Sequence, residues 1–256
     1  MKIVDEAEAA VSIIRSGDSL AIGGFGLCGT PEDLLEALLH TEAADLHIIT
    51  NNCGPTYSRL TRLLNAGRVR KVTASYIGDN KDFLARYTDG SIEVELVPQG
   101  TLAERLRCGG SGIPAFYTST GVGTEIELGG IPVRHFTNGD VSEESTPRRA
   151  EIIDGVRCVL EYGIRADVAL IRAEISDRFG NLRFRGTARN FNPLCAMAGR
   201  TAIAEVQQVV EVGALDPDDV HLPCVFVSQV VDLNGRMVKG LERRPAASVA
   251  PSEGGN

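Results

Sequence analysis

Short apolar runs alternate with segments of helical periodicity through the first half of the chain, and this alternation restricts the fold more than any other feature. Ser19–Ile22, Leu46–Thr50, Val69–Tyr76 and Glu93–Val97 read as strands. Between and after them, 31–39, Ser58–Ala66, Lys81–Thr88 and Leu102–Arg107 carry apolar residues three and four apart, the spacing of one helix face. A segment over 5–16, with Ala7, Ala10, Val11 and Ile14, reads as a further helix that Gly17 ends. Strands separated by helices pair in parallel through right-handed crossovers, and each helix then covers one face of the sheet. The expected fold class is therefore α/β, with an open, mostly parallel sheet flanked by helices.

The second half is less regular. Residues 129–155 are polar, include Pro132 and Pro147, and read as an exposed excursion or irregular hairpin. Just before them, Glu125-Ile126-Glu127 reads as alternating strand with both carboxylates exposed on one face. Strands are expected again at Val156–Leu160, Val168–Ile171, Thr201–Val206 and Val225–Val231, with a turn at Arg178–Leu182. A single domain over 1–235 is expected. Residues 236–256, rich in Ala, Ser, Pro, Gly and Glu, are expected to form a disordered tail.

Charge and cysteine usage exclude several function classes. Lys plus Arg number 26 against 34 Asp plus Glu, a net charge of −8. An acidic surface disfavours sequence-independent nucleic-acid binding, and the one basic cluster, Arg68-Val69-Arg70-Lys71, reads as a solvated edge. The N-terminal residues lack a basic region leading into an apolar core, and no apolar run reaches the ~18 residues that span a bilayer. A cytoplasmic protein without a membrane partner is the expectation. The 6 cysteines include no C-x-x-C pair, and the 4 histidines show no metal-ligand spacing, so neither a disulfide framework nor a metal site is expected.

The most suggestive motif is the run Gly23-Gly24-Phe25-Gly26-Leu27-Cys28-Gly29-Thr30-Pro31. It follows a strand, and Thr30-Pro31-Glu32-Asp33 looks like a capped helix start with acids at the positive end of the helix dipole. Gly24 to Gly29 fits G-x-G-x-x-G, the Rossmann-like turn that lets a phosphate or oxyanion approach the backbone. The dinucleotide version also needs an acid at the tip of the second strand to hold the ribose hydroxyls. Asn51-Asn52 stand there instead, and Asp45 precedes the strand. Phosphate recognition would recruit Lys or Arg nearby, and 17–33 contains neither.

A longer window resembles the signature of the α-type half of family I coenzyme A transferases. It comprises Gly17-Asp18-Ser19-Leu20-Ala21-Ile22-Gly23-Gly24-Phe25, Gly29 and Pro31, with Ser16 where the pattern prefers Asp or Asn. The resemblance continues through Asn51-Asn52-Cys53-Gly54, Pro98-Gln99-Gly100-Thr101-Leu102, Thr120-Gly121-Val122-Gly123-Thr124 and Thr187-Ala188-Arg189-Asn190-Phe191-Asn192-Pro193, covering roughly 1–232. It implies the fold of the α-type half. It also implies transfer of CoA from an acyl-CoA, such as succinyl-CoA, to a free short-chain or 3-oxo acid. A glutamate carboxylate would carry CoA as a thioester.

That glutamate is expected on a partner β-type subunit, in a Ser-Glu-Asn-Gly context, and no glutamate of this chain precedes an Asn. The resemblance thus implies no catalytic residue here, no permanently bound cofactor, CoA as a substrate, and an α2β2 assembly. Gly24, Phe25, Gly26 and Gly29 would shape the acyl or pantetheine pocket, with Asn51, Asn52 and Gln99 as polar contacts. Asn192 has a second explanation as a helix cap before Pro193, and Thr187 to Asn192 are read as structural or interfacial. A non-catalytic ligand-binding or sugar-phosphate-sensing α/β domain is the alternative reading.

Overall fold

The computed structural model describes residues 2–78 and 80–235; the expected tail at 236–256 lies outside the described residues. The elements in chain order are β1 (Ile3–Val4), α1 (Ala7–Val11), β2 (Ser19–Ile22), α2 (Glu32–Leu39), β3 (Leu46–Thr50), α3 (Arg59–Asn65) and β4 (Val69–Ala74). Then come α4 (Lys81–Thr88), β5 (Glu93–Leu96), α5 (Gln99–Gly110), β6 (Ala115–Thr118) and α6 (Glu125–Leu128). The hairpin β7 (Pro132–His135) and β8 (Val141–Glu144) is followed by β9 (Ala150–Ile153) and β10 (Val156–Tyr162). The chain closes with β11 (Ala166–Asp177), β12 (Leu182–Arg183), α7 (Asn192–Ala198), β13 (Gly199–Val210) and β14 (Gln229–Asp232).

The main sheet runs β1-β14-β13-β11-β2-β3-β4-β5, every neighbour pair parallel, with β12 added antiparallel to β11. This is the α/β architecture that the alternation predicts. Successive side chains of the central strands serve two cores. Leu20, Ile22, Ile48 and Leu170 pack with Leu34, Leu38, Leu63 and Phe83 on one face. Ala21, Ile49, Ala169 and Ile171 pack with Leu102, Leu106, Cys195 and Ala198 on the other. Strands buried on both faces read as unbroken apolar runs, which is why β3 and β11 stand out in the sequence.

Strand order reverses between β2 and β11: β3 to β5 build outward on one side, β11 to β14 on the other. In open parallel sheets the crevice at such a switch point, outside the carboxyl ends of the strands, is where ligands bind. The glycine run leaves β2 at that place.

Several local expectations are corrected. Glu125-Ile126-Glu127 is helix, not strand: Thr124 Oγ1 accepts the Ile126 N–H at 3.2 Å while Glu127 Oε2 accepts the Gly123 N–H at 2.8 Å. This is the logic of a T-x-x-E helix start, and it turns Glu127 inward against Arg157. Thr30 does not cap α2; its hydroxyl donates to the Gly26 carbonyl. The basic cluster is only partly a solvated edge, because Arg68 donates to the carbonyls of Leu38 and Leu39 at the end of α2, where a cation complements the helix dipole. A 3-10 turn at Cys224–Phe226 delays the last strand to Gln229. The excursion at 129–155 carries the β7–β8 hairpin and β9, which pairs with β10. No described helix is long and apolar enough to cross a membrane.

Candidate active site

Because β2 to β5 are parallel, the segments that leave them meet at one edge of the sheet. Gly23 follows β2, Asn51-Asn52 follow β3, Ser75-Tyr76 follow β4, and Gln99 opens α5 after β5. Pairing continues a little past the strands, with Asn52 bridged to Tyr76. A cleft of about 330 Å³ opens there, lined by Gly26, Leu27, Asn52, Cys53, Gly54 and Tyr76 among others. A smaller recess of about 10 Å³ lies beneath the glycine run, lined by Gly24, Gly26, Thr30, Glu32, Asn52 and Cys53 among others. The larger volume is at the low end for small-molecule sites.

The predicted residues divide into four groups. Gly26 and Asn52 line the cleft, and Gly24 joins them around the recess. Phe25 is 50% exposed, so it is not a core residue; its backbone exchanges two hydrogen bonds of 3.0 Å with Cys28, closing the run into a tight loop. Asn51 and Gln99 form a buried-to-surface amide pair behind the cleft. Asn51, 1% exposed, accepts at Oδ1 from Gln99 Nε2 at 2.8 Å and from Ser75 Oγ at 2.9 Å. Asn52 accepts the Gly54 N–H at 3.1 Å, a local turn bond that Asn favours.

Gly29 does not face the cleft. A Cβ there would stand 2.7 Å from Asn192 Nδ2, and φ is +74°. Asn192 is not a cap either, since Phe191 occupies that position. Its side chain bonds to the loop instead.

The cleft has walls and hydrogen-bonding groups, but its reactive side chains are engaged. Burial pushes the Cys53 thiol up, so it stays protonated near neutral pH and is a poor nucleophile. Glu32, beside the recess, is nearly buried and bonded to Arg59. No Lys or Arg appears among the described residues lining the cleft or the recess. What remains is amide, hydroxyl and glycine backbone, with the apolar surface of Leu27, Tyr76 and Ile77. Such a wall can seat a short acyl chain and exclude water.

Sequence reasoning missed the ion pair that backs the loop. Arg172 and Glu205 face each other in register across β11 and β13, 2.8 Å apart, with Glu205 fully buried. Glu205 also accepts the Leu34 N–H at 2.9 Å and so holds the first turn of α2. Burial pushes its carboxyl up, while Arg172 and the Leu34 N–H pull it down. A lone Glu inside the apolar run Ala202–Val206 was the available signal.

A larger cavity, about 540 Å³, lies along β5 and the excursion, and neither the glycine run nor Asn51-Asn52 lines it. Of the charges that line it, Lys71 pairs with Glu95, and Arg148 bonds to Glu161. The strand-end cleft is the better site because the switch point and the glycine loop meet there.

Comparison with known proteins places the chain in a family. The family model described as "Coenzyme A transferase" matches residues 4–233. A Mycobacterium tuberculosis protein, named as the A-type chain of a probable succinyl-CoA:3-ketoacid coenzyme A transferase, is 52% identical over 230 residues, 90% of this chain and 93% of that one. The human mitochondrial succinyl-CoA:3-ketoacid coenzyme A transferase 2 is 47% identical over 222 residues, 86% of this chain but 43% of the human one. Among solved structures, an acyl-CoA transferase from E. coli O157:H7 in a thioester complex with CoA superposes with a TM-score of 0.75 at 21% identity. That match covers 90% of this chain and 46% of the E. coli one, so this chain spans about half the solved protein.

Proposed function

The chain belongs to the coenzyme A transferase family, and on that premise we propose that it is the A-type subunit of a succinyl-CoA:3-oxoacid transferase. The reaction moves CoA between two carboxylic acids without hydrolysing the thioester. A glutamate carboxylate of the β-type partner attacks the thioester carbonyl and expels the CoA thiolate, leaving an acyl-glutamyl anhydride. The thiolate then attacks the glutamyl carbonyl, releases the first acid as its carboxylate, and leaves a glutamyl-CoA thioester. The second acid reverses these steps and departs as its CoA ester.

The observation that carries this assignment is the strand-end cleft with its recess: they are built of glycine backbone, amides, hydroxyls and apolar surface, with the Cys53 thiol protonated and the Glu32 carboxylate of the recess held by Arg59. A wall of this composition suits a substrate whose reacting partner comes from elsewhere. Gly24 and Gly26 let the acyl group lie against the backbone, and Phe25 reaches outward toward the pantetheine side. Asn52 contacts the acyl chain, and the Asn51–Gln99 pair fixes the polar end of the pocket. Gly29 holds the loop from behind. The length of the human relative, whose remaining half lies outside the matched region, supports a second chain of comparable size, and an α2β2 assembly follows if each half is present twice. Phosphate sensing would need Lys or Arg at the recess, and the described lining offers none.

Exchange of labelled succinate into succinyl-CoA tests the assignment, because that half-reaction needs no second acid. We expect exchange when this chain is assembled with its β-type partner and none from the chain alone. Exchange by the lone chain, or none by the assembled pair, would overturn it.

A further inference from the structure

Asn192 opens α7 and has 0% exposure, and its side chain ties together three separate stretches of the chain. Oδ1 accepts the Arg172 N–H of β11 at 2.9 Å. Nδ2 donates to the Gly29 carbonyl at 3.0 Å and to the Ala188 carbonyl at 2.9 Å. An amide has two donor hydrogens, and both are used. The orientation of the group is determined as well, since turning it over would set an oxygen against two carbonyls and an NH₂ against an N–H.

The glycines at both ends of the loop are shaped to this amide. A Cβ on Gly23 would stand 1.9 Å from Asn192 Oδ1, and one on Gly29 would stand 2.7 Å from Nδ2. Asn190, two residues earlier, donates to the Cys28 carbonyl at 3.0 Å, and Thr187 Oγ1 lies 3.2 Å from Cys28 Sγ. The 187–192 segment therefore grips Cys28 and Gly29 at the far end of the loop. Between these ends, Gly24, Gly26 and Leu27 line the recess or the cleft. A buried amide with its bonds met on three sides is a stiff connector, whereas an apolar residue of the same size would leave the Gly29 and Ala188 carbonyls short of a partner.

We propose that Asn192 is a positioning residue for acyl transfer: it touches no substrate, but it sets the height and tilt of the glycine loop against the cleft. The role rests on the transferase function proposed above. The geometry explains why Gly23, whose φ lies outside the left-handed region, has no side chain: Asn192 occupies that space.

The test uses this chain assembled with its partner. Asn192→Asp keeps the size and the acceptor for Arg172 but offers at most one donor to two carbonyls. Hydrogen exchange of the peptide spanning 23–29 should become on the order of tenfold faster in this variant, with peptides from β3 and β4 unchanged. Turnover should fall roughly 10- to 100-fold while KM for the acyl-CoA changes little, as expected when a reacting group is misplaced rather than unbound. A size swap provides the second arm. Gly23→Ala should lower the melting temperature, and adding Asn192→Ala should restore part of it but leave turnover low. Unchanged loop exchange in Asn192→Asp, or wild-type turnover in the double variant, would overturn the role. If the wild-type assembly itself transfers no CoA, the transferase assignment fails, and loop exchange still decides whether Asn192 positions the loop.

Discussion

Gly26 shows how much one residue can decide at this site. Its φ is +61°, and a Cβ built on it meets nothing within 4 Å. The constraint is therefore backbone conformation and not space, a cost of ~1–2 kcal/mol for an ordinary side chain and more for a β-branched one. Gly26→Val should assemble with its partner but lose nearly all transferase turnover, because the loop must distort or the new methyls enter the cleft. Gly26→Asn, which tolerates the left-handed region, should melt within a few degrees of wild type. Near-normal turnover by a well-folded Val variant would show that the loop does not face the substrate. At this scale the sequence is legible where geometry is local: the glycine turn leaves β2 and the Asn pair follows β3 as the strand pattern predicts, although Gly29 turns toward Asn192 and not the cleft. Asn192 was visible as a residue but not as a tether. Its partners Arg172, Ala188 and Gly29 come from separate elements, and only the tertiary fold brings them together.

Among elements, the edge β3–β4–β5 carries a polar chain across its three strands. His47 Nε2 lies 2.8 Å from Thr73 Oγ1, which donates to Glu95 Oε2 at 2.9 Å. The Thr73 proton points at Glu95, so His47 supplies its own N–H to the hydroxyl. Burial, with Lys71 nearby, brings His47 down to about 4. Burial alone would raise the Glu95 carboxyl, but Arg105, Lys71 and Thr73 together hold it at about 2. Both folded values lie below the unfolded ones, so the unfolded chain binds more protons on acidification. Stability linked to His47 is complete above about pH 6.5 and is lost as pH falls toward 4; that linked to Glu95 is lost from about 4.5 toward 2. Denaturant melts between pH 7 and 4 should show this decline, and His47→Asn should flatten its upper part. A variant as steep as wild type would contradict the assignment. The strands themselves were readable as apolar runs, and α3 and α4 as periodic segments whose starts Ser58 and Asn80 cap. What could not be read was register. The Arg172–Glu205 pair depends on β11 and β13 lying side by side, strands with the whole of α7 between them in the chain. The helix at Glu125 escapes a pattern reading because alternation over three residues is weaker than the glycine turn and capping threonine before it.

On the scale of the whole molecule, the proposal makes the described residues one half of an active site. The sheet's switch point, the glycine loop and the cleft coincide, yet the thiol there is protonated and the neighbouring carboxylate is bound to Arg59. The family and the fold class were legible because many ordered motifs agree with one parallel-sheet plan; the nucleophile-bearing partner belongs to the proposal, which started from the lack of a Ser-Glu-Asn-Gly segment in this sequence. The central claim is that this chain shapes the pocket while its partner carries the covalent intermediate. Intact masses of both chains, recorded after the assembled enzyme meets acetoacetyl-CoA without a second acid, test it most directly. The account predicts a CoA adduct on the partner chain and an unmodified mass for this one; a CoA adduct on this chain would contradict it.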